Sequence, residues 1–223
     1  MDSEAPDPLA PVFEMVDTTI RRLAKSKFIN DPIVAARYSA ITSIVSSAYK
    51  RHGKIIEQAL AATLRNTPHL TVWDEPLFCV SEAAERLASA DATAFGAVLP
   101  YSSTNPVRTL QVDFIVYNND TRHIGAYESK RGSGYHDAGK IRSMKRDMRC
   151  LQMLVKSYGE ARGMDVKDAS AHMIFYYGQC SIPKPLSLTG AELDGHFGVP
   201  VRESVERVNT YFREKLDALL ASV

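Results

Sequence analysis

The sequence predicts an α/β protein: a mixed central β-sheet flanked by helices on both faces. Three observations carry this expectation. The stretch Arg108–Gly132 reads as a β-hairpin that is apolar on both faces, which is the mark of a central, covered strand pair. A long amphipathic helix and then a buried strand, AHMIFYYG (171–178), follow it, as a helical crossover to a parallel strand requires. Amphipathic helices bracket this region on both sides.

Taken in order, residues 1–8 read as a loose end. Leu9, Val12, Phe13, Val16, Ile20 and Leu23 keep helical spacing, so a helix is expected over about 9–26. Asp31 and Pro32 suit a helix start, as cap and first residue. From Pro32 to about Leu64 the pattern stays helical, as one piece or two. Gly53 sits inside it, where glycine costs about 1 kcal/mol relative to alanine, and a ligand could approach there. Residues 69–80 read as a strand with Trp73 and Phe78 as large packing residues, and 81–90 as a short helix capped by Ser81. A loop, 100–106, leads to the hairpin. Residues 137–159 form the next helix, residues 183–200 read as loop, and Val201, Val205, Val208, Phe212, Leu216 and Leu219 define a closing helix. Residues 1–40 are expected as a helical extension and 41–223 as one α/β domain.

Composition bounds the function. With 45% hydrophobic residues a substantial core is available, and a net charge of +1 gives no global polyanion signal. Cys79, Cys150 and Cys180 fit neither zinc spacing nor a disulfide framework, which suits a reducing cytoplasm. No apolar run reaches membrane-spanning length and the acidic N-terminus has no signal-peptide pattern, so a cytoplasmic chain without a membrane partner is expected.

The hairpin holds the candidate chemistry. A four-residue loop, Asn119–Arg122, pairs Asn118 with His123 and sets Asp113 opposite Glu128. Alternation then places Asp113, Glu128 and Lys130 on one face with Ile115, Tyr117, Ile124 and Ala126, and leaves Val112, Phe114 and Val116 on the other. Buried charge without partners is costly, so three charges at the end of such a hairpin need a role. Two carboxylates on neighbouring strands are hard oxygen ligands suited to Mg²⁺ beside a phosphate. A lysine on the same face can orient water or offset developing charge. An E-x-K tripeptide alone arises about 0.8 times by chance in such a chain, so the weight lies in the context.

A local basic field adds to it. Between residues 121 and 149 stand Arg122, Lys130, Arg131, Lys140, Arg142, Lys145, Arg146 and Arg149, against Glu128, Asp137 and Asp147. Lysine and arginine contacts to phosphate supply most non-specific DNA affinity. Arg131, Tyr135, Lys140, Arg142, Lys145, Arg146 and Arg149 are therefore the candidate DNA contacts, with His136 beside them in the loop. His52 and His172 read as packing or surface groups, and Tyr176 and Tyr177 as strand packing.

Asp113, fifteen residues ahead of Glu128-Ser129-Lys130, resembles the PD-(D/E)XK nuclease superfamily. The element order over about 41–178 is similar to that family's αβββαβ restriction endonuclease-like core, and Val112 stands where the family name has proline. Glu57, four residues after Gly53, is similar to the family's additional helical acid, which completes the metal site. The segment LTGAELDGHFG resembles the loop–helix endings of some restriction enzymes. The resemblance implies Mg²⁺-dependent hydrolysis of phosphodiester bonds in double-stranded DNA, with Mn²⁺ as a substitute ion. Asp113, Glu128 and Glu57 would hold the metal, Lys130 would complete the catalytic set, and a homodimer would cut both strands. A type II restriction enzyme is the sharpest form of this expectation. The alternatives are a non-catalytic DNA-binding module and an assembly subunit whose acids and lysine only pair with one another.

Overall fold

The computed structural model describes residues 6–29, 32–90 and 96–223. The chain divides into two compact units, residues 1–66 with 200–223, and residues 67–199.

The first unit is helical: α1 (Ala10–Lys25), α2 (Ala36–Arg65) and the closing helix, here α6 (Val201–Leu220). Each buries the stripe its spacing announces. Val12, Val16 and Leu23 lie inward on α1, Ile56, Leu60 and Leu64 on α2, and Val205, Val208 and Phe212 on α6. His52 is buried, bonds Asn209 Oδ1 at 2.8 Å and stacks on Phe212, so it is a packing group as expected. α2 is a single helix of 30 residues, and it starts at Ala36 rather than Pro32. The proposed cap Asp31 lies outside the described residues. A Cβ at Gly53 would meet nothing within 4 Å, so nothing described there requires glycine. Gly53→Ala should therefore raise stability by about 0.5–1 kcal/mol, read as a higher urea midpoint with unchanged slope.

The second unit is a five-stranded mixed sheet with helices on both faces. Its strands are β1 (Leu70–Val80), β2 (Arg108–Asn118), β3 (His123–Lys130), β4 (Asp168–Phe175) and β5 (Ser187–Thr189), in that spatial order. β1–β2 and β2–β3 are antiparallel, while β3–β4 and β4–β5 are parallel. α3 (Glu82–Ser89) and α4 (Ala138–Ala161) cover one face. Ser81 Oγ caps α3 by accepting from Ala84 N at 3.3 Å, and Asp137 caps α4 by accepting from Lys140 N at 2.9 Å. Met144, Met148, Leu151 and Val155 of α4 pack on Ile115, Ile124, Ala126 and Ala171. Burial pushes the Cys150 thiol of this core up to about 12.

Three elements depart from the sequence reading. β4 spans Asp168–Phe175 rather than 171–178, so Tyr177 falls outside it and is exposed. The region read as loop holds β5, a 3₁₀ turn (Gly190–Glu192) and α5 (Leu193–Phe197). The LTGAELDGHFG segment forms these pieces. Val112 joins Ile115 in the α4-side core instead of facing away with Phe114. A bulge causes this. Trp73 pairs with Ile115 but Glu75 with Val112, so β2 has one residue more than β1 over that span. A second bulge, with the extra residue in β1, lies between Glu75 and Phe78 and restores the register. Pro76 sits within it, where a missing N–H breaks no ladder.

On the opposite face Tyr127 is buried and stacks on Phe114, with α5 supplying His196 and Phe197 against its ring. A Cβ on Gly125 would strike the Tyr127 hydroxyl at 2.2 Å, so this ring position requires glycine two residues before it. Tyr127 Oη bonds His196 Nε2 at 2.8 Å, and His196 meets His172 edge-on at 5.0 Å. Burial, with the nearby His172 and His123, holds the His196 imidazole down at about 4, and burial also lowers His172. An unfolded chain takes up these protons near the ordinary value of about 6.5. Stability should hold at neutral pH, fall as pH drops from about 6.5 toward 4, and then level. The His196 share is roughly 2 kcal/mol, reduced for partial exposure of the ring. Urea midpoints at pH 7 and pH 5 check this, and His196→Gln should flatten the difference.

Among the described residues no helix is long and apolar enough to cross a membrane.

Candidate active site

The hairpin register is the expected one. Paired residues run from Asn118–His123 to Phe114–Tyr127, and the next step of that register is Asp113 with Glu128. Asp113 is one of the two residues between Val112 and Ile115 where β2 bulges. Its side chain takes over the ladder there: Oδ2 accepts from Ser129 N at 2.8 Å. The carboxylate is thus fixed on the backbone of the residue between Glu128 and Lys130.

Glu128 and Lys130 continue the alternation of Ile124 and Ala126, beyond the apolar part of that face. Lys130 Nζ donates to Glu128 Oε2 at 2.8 Å and to Ser129 O at 3.3 Å. The two side chains are 30% and 18% exposed, so the pair sits at a mouth rather than in the core. The strand end carrying them is pinned. Tyr176 N donates to Lys130 O at 3.0 Å, Tyr177 N to Arg131 O at 2.9 Å and Gln179 N to Gly132 O at 3.0 Å. Gly132 has φ +68°, and a Cβ there would come within 2.8 Å of the Phe175 backbone. The turn that ends β3 therefore admits only glycine without movement.

Among the described residues no three histidine, cysteine, aspartate or glutamate side chains gather as a metal-holding group. The donor set at the hairpin is two carboxylates and the Ser129 carbonyl. Asp113 Oδ1 has no hydrogen-bond partner among the described residues. Mg²⁺ keeps several waters and is bound through one or two carboxylates plus substrate phosphate, so these donors suit it in kind. They do not suit zinc, which prefers nitrogen and sulfur.

The remaining candidates are placed as follows. Glu57 lies in the helical unit, buried on α2, where Lys54 Nζ and Gln58 Nε2 both donate to its Oε1. Arg131 Nη1 donates to Ser133 Oγ at 2.9 Å, and its guanidinium lies 5.2 Å from the centre of the Tyr177 ring. Tyr135 and Lys140 are exposed. His136 is held by Ser181 Oγ, 2.8 Å from its Nδ1. Arg142, Lys145, Arg146 and Arg149 share the outer side of α4. Arg146 is turned to Glu85, Nη1 to Oε1 3.4 Å, and Arg149 Nη1 donates to Ala88 O at 3.2 Å.

Two part-exposed networks carry no sequence signal, because their members are far apart in the chain. Arg108 bridges Glu85 at 2.8 Å and Asp147 at 2.9 Å, joining β2, α3 and α4. Glu75 Oε2 accepts from Tyr158 Oη at 2.6 Å and from Arg162 Nη2 at 2.7 Å. Ser129 Oγ is buried with no hydrogen-bond partner among the described residues. Ser129→Ala removes no bond there, so its melting temperature should stay within about 2 °C of the parent.

Comparison with known proteins returns no relative: no family model, no curated protein and no solved structure matches the chain.

Proposed function

We propose that this chain is a Mg²⁺-dependent endodeoxyribonuclease that hydrolyses phosphodiester bonds in double-stranded DNA, in the manner of a PD-(D/E)XK type II restriction enzyme. One observation carries the reading. Asp113 is anchored on the amide between Glu128 and Lys130, at the partly exposed charged end of a hairpin whose middle is buried. A bound Mg²⁺ supplies Lewis-acid polarisation of the phosphate and a more acidic water. Asp113 and Glu128 would hold the ion through their hard carboxylate oxygens. Lys130, held by Glu128 and the Ser129 carbonyl, places a positive charge where negative charge grows in the transition state. The basic outer side of α4 with Arg131, Tyr135 and Lys140 is the proposed DNA surface. Symmetric cutting of both strands would need two such sites, hence a homodimer in the cytoplasm.

The Lys130–Glu128 pair also supports a second reading, because it neutralises itself. On that reading the chain is a non-catalytic DNA-binding or assembly module, and the charges only satisfy one another.

Incubation with supercoiled and linear phage DNA plus Mg²⁺, with Lys130→Ala as control, separates the two. Discrete bands lost in the variant mean a sequence-specific cutter, and a smear lost in the variant means a general nuclease. Uncut DNA, with no heat of Mn²⁺ binding by calorimetry, selects the module.

A further inference from the structure

The outer side of α4 is not one uniform basic stripe. With α3 it walls an open cavity of about 540 Å³, into which Arg142, Lys145, Arg146 and Arg149 all face. Two of the four are committed elsewhere. Arg146 reaches Glu85, an acid it shares with Arg108, and Arg149 reaches the Ala88 carbonyl at the end of α3. Arg142 and Lys145 make no hydrogen bond or ion pair with any described residue. Four cations converge on this hollow, and Arg108 stands behind them. Glu85 and Asp147 are the acids that face the group from α3 and α4. A concave site with surplus like charge is held apart by its own repulsion and is relieved by an anion.

The chemistry of the lining narrows the anion. Among the described residues the rest of the wall is Ala88, Ser89, Gly139 and Ser143, with no aromatic ring to stack a base and no amide side chain to read one. The volume suits a nucleotide-sized group rather than a lone ion. Position agrees with this. A Cβ on Gly159 near the end of α4 would touch Ile124, near the turn end of the hairpin. At 1.5 Å per residue the cavity residues lie roughly 15–30 Å back along α4, toward the Glu128–Lys130 end of β3.

We propose that the α3–α4 cavity is a phosphate site for the nucleic-acid backbone, gripping adjacent phosphates through Arg142 and Lys145 without reading bases, while Arg146 and Arg149 shape its wall. This rests on the nucleic-acid partner of the nuclease reading but not on its chemistry. Lys140, Arg131 and Tyr135 lie outside the cavity.

The test is binding of the full chain to two labelled duplexes of unrelated sequence, in EDTA, across a range of salt. The double variant Arg142→Gln/Lys145→Gln should bind both duplexes at least about tenfold more weakly, by the same factor. Its log–log salt slope should be shallower by about two, near 0.9 for each phosphate no longer neutralised. Neither side chain has a partner to lose among the described residues, so its melting temperature should match the parent. Arg146→Gln should lower the melting temperature instead, through Glu85. Unchanged affinity or slope in the double variant would overturn the proposal. So would displacement of the duplexes by pyrophosphate or ATP at or below the duplex concentration, which would mark a site for a free phosphorylated molecule. Binding without metal separates this from the nuclease reading. A chain that binds through Arg142 and Lys145 but never cuts with Mg²⁺ keeps the cavity and loses the nuclease. A chain that cuts while the double variant binds like the parent keeps the nuclease and loses the cavity.

Discussion

Asp113→Asn should abolish DNA cleavage while leaving the fold in place. The amide keeps a carbonyl oxygen that can accept from Ser129 N, so the bond at 2.8 Å survives with a neutral acceptor. The stability change should stay near 1 kcal/mol, a shift of a few degrees in melting temperature. What disappears is a hard anionic ligand. A metal's stabilisation of transition-state charge is worth several kcal/mol, and each 1.36 kcal/mol is tenfold in rate, so the loss should be on the order of 10³-fold or more. Single-turnover cleavage measures the rate, and calorimetry with Mn²⁺ should show the binding heat gone. Cleavage within tenfold of the parent by this variant would remove Asp113 from the chemistry.

Gly132→Ala should be a strongly damaging single methyl in the sheet unit. The residue sits at φ +68°, and its new Cβ would lie 2.8 Å from Phe175 backbone and Cβ atoms. Phe175 cannot move aside freely, because β4 pairs it with Lys130 on one side and Thr189 on the other. Strain of this kind costs about 1–3 kcal/mol, and the clash adds to it, so a total near 3 kcal/mol is expected. That is roughly a 10 °C fall in melting temperature. Cleavage should fall as well, since Lys130 stands two residues away on the same pinned strand end. Gly134→Ala is the control: its Cβ meets nothing within 4 Å, and it should melt like the parent.

The hairpin register was legible because loop length fixes it and side chains alternate. Asn118–His123 pairing led directly to the Asp113–Glu128 step. The bulge was not legible. Nothing in Val112-Asp113-Phe114 announces an extra residue, and it moved Val112 to the α4 side. Pro76 was the available hint, since a strand proline belongs at an edge or an irregularity. The cap Ser81 was legible because a side-chain oxygen before an apolar period has a local job. Pro32 misled, because the same signal fits a turn ahead of a helix that begins at Ala36. The first three residues of β4, Asp168-Ala-Ser, carry no apolar signal because they stay partly exposed and are held in the strand by pairing with His123–Gly125. The split among the α4 cations was beyond reach, since Glu85 and the Ala88 carbonyl lie on another helix.

The kinked margin of β1 has a consequence for how molecules of this kind meet. Pro76 offers no amide hydrogen, and the Leu77 amide is already taken by Glu75 Oε1 at 3.2 Å. At the far margin β5 is only three residues long. Both features blunt the borders as templates for an incoming strand, which works against copies zipping into a continuous ribbon.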